Sequence, residues 1–365
     1  MCVYTIGVDI GTTSTKAVLF HNQQQLAVHN VLYPLLTPDT ETAEQDPVVI
    51  YGAVLEAISA VRAHADGPVR FASFSSAMHS LIALDALGRP LTHSITWADS
   101  RANPYTQEIK REFDASALHM RTGTPVHPMA PLSKLRWLKH EHPDVFNHAA
   151  KFVSIKEYVF YRLTGRFVID HSIASATGLF NLKNCDWDPA ALDVAGVTPE
   201  QLSELVPTTE ILTLKSDVVE TLGWDFPLVI GASDGVLSNL GVGAFEQGVV
   251  AVTIGTSGAI RTVVREPVED PKGRIFCYAL TDKHWVIGGP VNNGGIILRW
   301  LRDEFAASEV ETAKRLGMDA YDVLTRIAET VKPGSDGLLF HPDLMGDRAP
   351  LWDSNARGSF FGLSI

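Results

Sequence analysis

The chain has 365 residues, 45% of them hydrophobic and 20% charged, which is the balance of a globular protein long enough for two cores. Its net charge of −12 argues against a nucleic-acid or anionic-membrane partner, since both demand clustered Lys and Arg, while one local cationic site still suits an anionic small substrate. Cys2, Cys185 and Cys277 form an odd set without metal-type spacing, no apolar run approaches membrane-spanning length, and the first strand leaves no room for a signal peptide; a soluble, cytoplasmic protein is expected.

The stretch from Tyr4 to Phe20 opens with the apolar run Ile6 to Ile10, broken by one carboxylate, Asp9. Gly11 and the hydroxyls of Thr12, Thr13 and Ser14 follow, and β-rich character resumes from Thr15. This reads as strand, tight turn, strand, with a bend suited to Gly and with hydroxyls and N–H groups at its tip. Such a tip can hold phosphate oxygens, because successive N–H groups in a turn form an anion-binding concavity. It is not a Walker loop, which needs a second Gly directly before its Lys; here Thr15 precedes Lys16. Leu26 to Leu32 reads as a third strand. Asp46 and Pro47 start a helix as N-cap and first helical residue, running to about Ala65, and Val69 to Ser75 is a buried strand. The first third is therefore β-β-β-α-β, an α/β pattern.

Ser75 to Ser80 lies at the carboxyl end of that strand, where ligands gather in open α/β sheets. Leu81 to Leu84 and Ser94 to Trp97 bracket a hairpin turn at Asp85 to Pro90, which delivers Trp97, Asp99 and Arg101 to the same edge. Met78 and Trp97 also suit core packing, and His79 a structural role; their place beside polar residues at strand ends favours a site. Helices are expected over Pro131 to Leu138 and Val153 to Leu163, the second capped by Gly165, with short ones starting at Asp188-Pro189 and Thr198-Pro199. Phe226 to Gly235 is a buried strand ending at Asp234, either a helix cap or a functional carboxylate. The domain boundary is placed between Gly243 and Gly248, giving domains 1–245 and 246–365.

Val250 to Val264 then repeats the strand, Gly-Thr turn and strand of the first hairpin, with Gly255, Thr256 and Ser257 at its tip. Two such hairpins suggest two related halves facing each other across a cleft, with a nucleotide between them. His284 to Gly295 is Gly-rich and leads into a helix from Ile296 to Phe305, suiting close approach to phosphate or sugar, or simple loop packing. Gly334 to Phe340 reads as turn then strand, and Gly358 to Ile365 ends the sequence with no helix cap or polar tail.

Along its whole length this sequence resembles the FGGY family of carbohydrate kinases, of the actin-like ATPase superfamily. The resemblance rests on Gly7-Val8-Asp9-Ile10-Gly11-Thr12-Thr13, Trp97-Ala98-Asp99, Lys134-Leu135-Arg136-Trp137-Leu138, Gly231-Ala232-Ser233-Asp234, Ile254-Gly255-Thr256-Ser257-Gly258, Asp347-Arg348-Ala349-Pro350 and Gly358-Ser359-Phe360-Phe361-Gly362. Within the family, Ser75 to Ile82, Trp97 to Arg101, Ile173 to Gly178 and Gly289 to Gly295 resemble gluconate kinases, with xylulose kinases the neighbouring branch. Asp347 departs from the Glu that many members carry there.

The resemblance implies two actin-like, ribonuclease H-like α/β domains facing a cleft. The second is expected to be truncated, since family members continue past Ile365 with an adenine-binding segment. It implies ATP and Mg²⁺, with phosphoryl transfer to the 6-hydroxyl of D-gluconate. Asp234 is implied as the base and Asp9 as the Mg²⁺ holder. Gly11, Thr12, Thr13, Lys16, Gly255, Thr256 and Ser257 are implied at the phosphates, with domain closure excluding water. Met78, His79, Trp97, Asp99 and Arg101 are implied to line the sugar pocket, and Asn292 and Asn293 to close it. Xylulose or another family sugar is the alternative substrate, and a sugar-binding chain without nucleotide binding is the alternative class. A homodimer is left open.

Overall fold

A computed structural model describes residues 3–364, so Cys2 and Ile365 lie outside it. The chain divides into two units. One runs to Val249 and takes in Thr262–Ile287; the other takes Val250–Arg261 and resumes at Gly288. Among the described residues, no helix is long and apolar enough to cross a membrane.

In the N-terminal unit the first hairpin forms as expected. Strand β1 (Tyr4–Ile10) pairs antiparallel with β2 (Ser14–His21), setting Asp9 directly opposite Lys16. Strand β3 (Gln24–Leu32) continues the meander. Helix α1 (Pro47–Arg62) begins where Asp46 accepts from the N–H groups of Val48 (2.8 Å) and Val49 (3.4 Å), supplying partners for donors at the open helix end. Strand β4 (Val69–Ser76) returns parallel to β1. Next come helices α2 (Pro131–Glu141), α3 (Ile155–Thr164) and α4 (His171–Ser175), then strands β5 (Ile211–Leu212) and β6 (Leu228–Ser233), and helix α5 (Asp234–Gly241).

The sheet order is β5-β6-β4-β1-β2-β3. Alternation buries Ile6, Val8 and Ile10 of β1 in one core with Ile50, Val54 and Ile58 of α1 and Tyr158, Phe160 and Leu163 of α3. A second core gathers Leu135 and Leu138 of α2 with Ile109, Leu118, Phe152 and Leu192. The expected hairpin at Leu81 and Ile95 is present as a pair of backbone bonds (3.0 and 2.9 Å). Its two short strands pair elsewhere, however: Ile82–Leu84 with Lys151–Val153, and Ser94–Ile95 with Glu44–Gln45.

In the second half the elements are β7 (Val250–Ile254), β8 (Gly258–Val264), β9 (Phe276–Thr281), β10 (His284–Val291) and α6 (Ile296–Phe305). Residues 262–287 sit with the N-terminal unit rather than with the C-terminal one. The reason is packing on α4: Cys277, Ala279 and Trp285 join Ile173, Ala174 and Phe180 in an apolar cluster, and the Ala279 N–H donates to Ser175 Oγ (2.9 Å).

Candidate active site

The parallel strands β1, β4 and β6 end in one row, Ile10 beside Ser76 beside Ser233. One residue back, Asp9 lies beside Ser75, and Ser75 beside Ala232. With strands about 4.8 Å apart, Asp9 and Asp234 leave this edge roughly 10 Å from each other. Both side chains are exposed. Asp234 is the first residue of α5, not its cap, which is Ser233; the Asp234 carboxylate accepts from the Gly235 N–H at 2.7 Å. Just before it, Gly231 sits at φ +67, where an added Cβ would lie 1.9 Å from Phe74 O. That glycine forms a bulge between Val229 and Ala232 and re-aims the strand end.

The tip of the first hairpin is tied down from three sides. Tyr33 donates to Gly11 O (2.7 Å) and lies 3.3 Å from Thr15 Oγ1, and burial pushes its phenol up to about 12. Gln45 Nε2 donates to Thr12 O (2.5 Å), and Trp97 Nε1 to Thr12 Oγ1 (3.0 Å). Thr13 remains exposed at the tip. Asp9 and Lys16 line a cavity of about 280 Å³ on the sheet face, together with Ser73, Ser75 and Leu237.

The segments implied for the sugar also converge in this unit. Trp97 keeps 38% of its surface exposed, which removes it from the core, whereas Met78 is half-buried against the apolar cluster on α4. His79 is buried at φ +69, a strained conformation for a non-glycine residue. Its ring bonds Ala176 O through Nδ1 (2.7 Å) and meets Tyr278 edge-on at 5.9 Å. Arg101 donates to both Asp99 oxygens (2.7 to 3.1 Å) and to Glu44, and stacks 4.6 Å over the Trp137 ring. Asp99 also accepts from the Ala43 N–H at 3.0 Å.

Lys134 of α2, fully buried, holds these segments together by donating to the carbonyls of His79 (2.6 Å), Thr96 (2.7 Å) and Ile95 (3.3 Å). Burial drives its pKa down to about 7, with Asp99 pulling upward. Sequence reasoning placed Lys134 on a helix but missed this task, as it missed Glu44, Gln45 and Tyr33. A lysine between Leu132 and Leu135 was the available signal.

In the C-terminal unit, Gly255, Thr256 and Ser257 form the tip between β7 and β8, with Gly255 N donating to Ser257 O (2.8 Å). The turn before α6 lies against this tip: Gly294 N donates to Thr256 O (3.1 Å) and Gly295 N to Gly255 O (2.6 Å). A Cβ on Gly294 would sit 2.7 Å from the Ser257 carbonyl carbon, so only glycine fits. Asn292 donates to Met345 O (3.0 Å). Asn293 donates to Gly346 O (2.8 Å) and accepts from Met345 N (3.1 Å).

Two family models match the chain, both for the FGGY family of carbohydrate kinases: the N-terminal domain over residues 4–241 and the C-terminal domain over residues 250–365. A gluconokinase of Bacillus subtilis is 58% identical over all of this chain and 72% of its own length. A crystal structure of gluconate kinase from Lactobacillus acidophilus superposes with a TM-score of 0.92 at 42% identity, covering 100% of this chain and 73% of that one. A ligand-bound xylulose kinase from the same organism gives a TM-score of 0.91 at 43% identity, covering 99% and 72%.

Proposed function

Since the chain belongs to the FGGY family of carbohydrate kinases, we propose that it transfers the γ-phosphate of ATP to the 6-hydroxyl of D-gluconate, giving 6-phosphogluconate. The gluconokinase relative, similar along the whole chain, supports gluconate over xylulose. The observation that carries the chemistry is the placement of two exposed carboxylates, Asp9 and Asp234, at the carboxyl edge of β1 and β6.

Phosphoryl transfer needs in-line placement and charge stabilisation more than covalent help. Asp234 accepts the proton of the attacking hydroxyl, and its exposure leaves it accessible to a sugar. The exposed Asp9 oxygens fit Mg²⁺, which takes one or two carboxylates and keeps much of its water; when bound, the ion offsets negative charge on the phosphates. Gly11, Thr12, Thr13 and Lys16 of the first hairpin bind phosphate oxygens, as do Gly255, Thr256 and Ser257 of the second. Met78, His79, Trp97, Asp99 and Arg101 shape the sugar pocket. Arg101 already faces two carboxylates, so it acts chiefly as a rigid wall. Asn292 and Asn293 contribute from the second unit.

The sheet order, with β1 central between the β2–β3 meander and the parallel β4 and β6, supports an actin-like, ribonuclease H-like domain. We place the enzyme in the cytoplasm, where ATP is supplied. The test is a coupled assay with Mg-ATP on a sugar panel. Turnover is expected with gluconate; turnover with xylulose and none with gluconate would sink the assignment.

A further inference from the structure

Three buried groups that touch no substrate in this reading converge on the backbone that carries Asp234. Lys156, Asp170 and Ser172, like Ser233 on that backbone, each expose 1% or less of their surface. Lys156 Nζ is paired with Asp170 Oδ2 at 2.7 Å and donates also to Ala232 O at 3.2 Å. Asp170 Oδ1 accepts from the Ile173 N–H (3.0 Å) and so caps α4, fixing Ser172 in its first turn. Ser172 Oγ accepts from the Ser233 N–H (3.1 Å) and lies 3.0 Å from Ser233 Oγ. α4 is itself held by Ser175, whose carbonyl accepts from Thr124 (2.5 Å) and whose hydroxyl accepts from Ala279 N.

These ties stand where the sheet ladder is interrupted. The bulge at Gly231 breaks the β4–β6 register between Val229 and Ala232. Two residues later the chain turns into α5, whose cap residue makes no side-chain bond to the helix. The two residues between bulge and helix, Ala232 and Ser233, are those that Lys156 and Ser172 hold. We propose that Lys156, Asp170 and Ser172 are positioning residues for the reaction: they fix the main chain at 232–233 and thereby the aim of the Asp234 carboxylate. The proposal rests on the reading of Asp234 as the base. A displacement of about 1 Å at a reacting group can cost on the order of a hundredfold in rate.

The test is a double-mutant comparison in the full chain, with Ser172→Ala and Asp170→Asn each made alone and with Asp234→Asn. All are assayed at a temperature where circular dichroism shows them folded. Each single positioning variant is expected to lower kcat at least about tenfold, with KM for gluconate and Mg-ATP within about twofold. In the Asp234→Asn background, neither should lower the residual single-turnover rate further, because the group they aim is already disabled. Wild-type kcat in both variants would overturn the proposal. So would a loss that persists undiminished beside Asp234→Asn, which marks a general structural effect. If Asp234→Asn alone keeps more than about a tenth of the wild-type kcat, the reading of Asp234 as base fails instead, and the positioning proposal with it.

Discussion

Replacing Lys134 with Met removes the buried amine and keeps its length. Burial lowers the Lys134 pKa from 10.5 to about 7 in the folded chain. Below the folded value the amine is protonated in both states, and the folded state bears the full cost of burying the charge. As pH rises through that value toward 10.5, the unfolded state binds more protons, so stability rises. Between about pH 6 and about pH 9 this amounts to roughly 3 kcal/mol. Against it stand the bonds to the carbonyls of His79, Ile95 and Thr96, worth about 1 kcal/mol each, of which the ammonium donates all three and the neutral amine two. Lys134→Met should therefore cost roughly 3 kcal/mol more at about pH 9 than at about pH 6. Urea unfolding of wild type and variant at the two pH values, followed by tryptophan fluorescence, measures this difference directly. A cost that does not change with pH would refute the reasoning, since it would mean that the carbonyls and Asp99 keep the ammonium charged throughout.

Asp234→Asn should lower kcat at least about a hundredfold while gluconate binding, by calorimetry, stays within roughly tenfold. Trp97→Phe removes the bond to Thr12 Oγ1 and should raise KM for Mg-ATP about fivefold, equivalent to about 1 kcal/mol; an unchanged KM would detach Trp97 from the phosphate hairpin. Gly231→Ala forces a Cβ against Phe74 O at positive φ and should cost more than about 3 kcal/mol in urea unfolding, or prevent folding. Burial pushes the Cys277 thiol up to about 11, so in a Cys2→Ser background a thiol reagent at about pH 8 should modify the half-buried Cys185 first and Cys277 only on unfolding.

Local signals were legible and long-range ones were not. The first hairpin, the Asp46-Pro47 start of α1, the Gly165 cap of α3 and the span of α6 all follow from turn chemistry and periodicity within a few residues. Asp234 could be singled out because a buried strand ending in an acid is a local pattern; whether it capped the helix could not, since Ser233 offers the same capping chemistry one residue earlier. The strands at 82–84 and 94–95 were visible, but their partners, at 151–153 and 44–45, depend on tertiary packing. The same holds for Glu44 against Arg101 and Gln45 against Thr12, polar contacts with no periodic trace. Residues 262–287 lie within the match to the C-terminal family domain, and only the folded chain shows that their apolar residues pack on α4.

Several buried groups that shape this site address the main chain rather than another side chain. Lys134 grips the carbonyls of residues 79, 95 and 96, Lys156 that of 232, Gln45 that of 12, Tyr33 that of 11, and Ser172 the N–H of 233. Every residue offers the same carbonyl, and all but proline the same N–H, whatever its side chain. Ties of this kind depend on where the backbone of His79, Ile95 and Thr96 runs, not on which side chains these residues carry. For engineering, this sets an order of work: leave the buried lysines and serines alone, and vary the half-buried Met78 first.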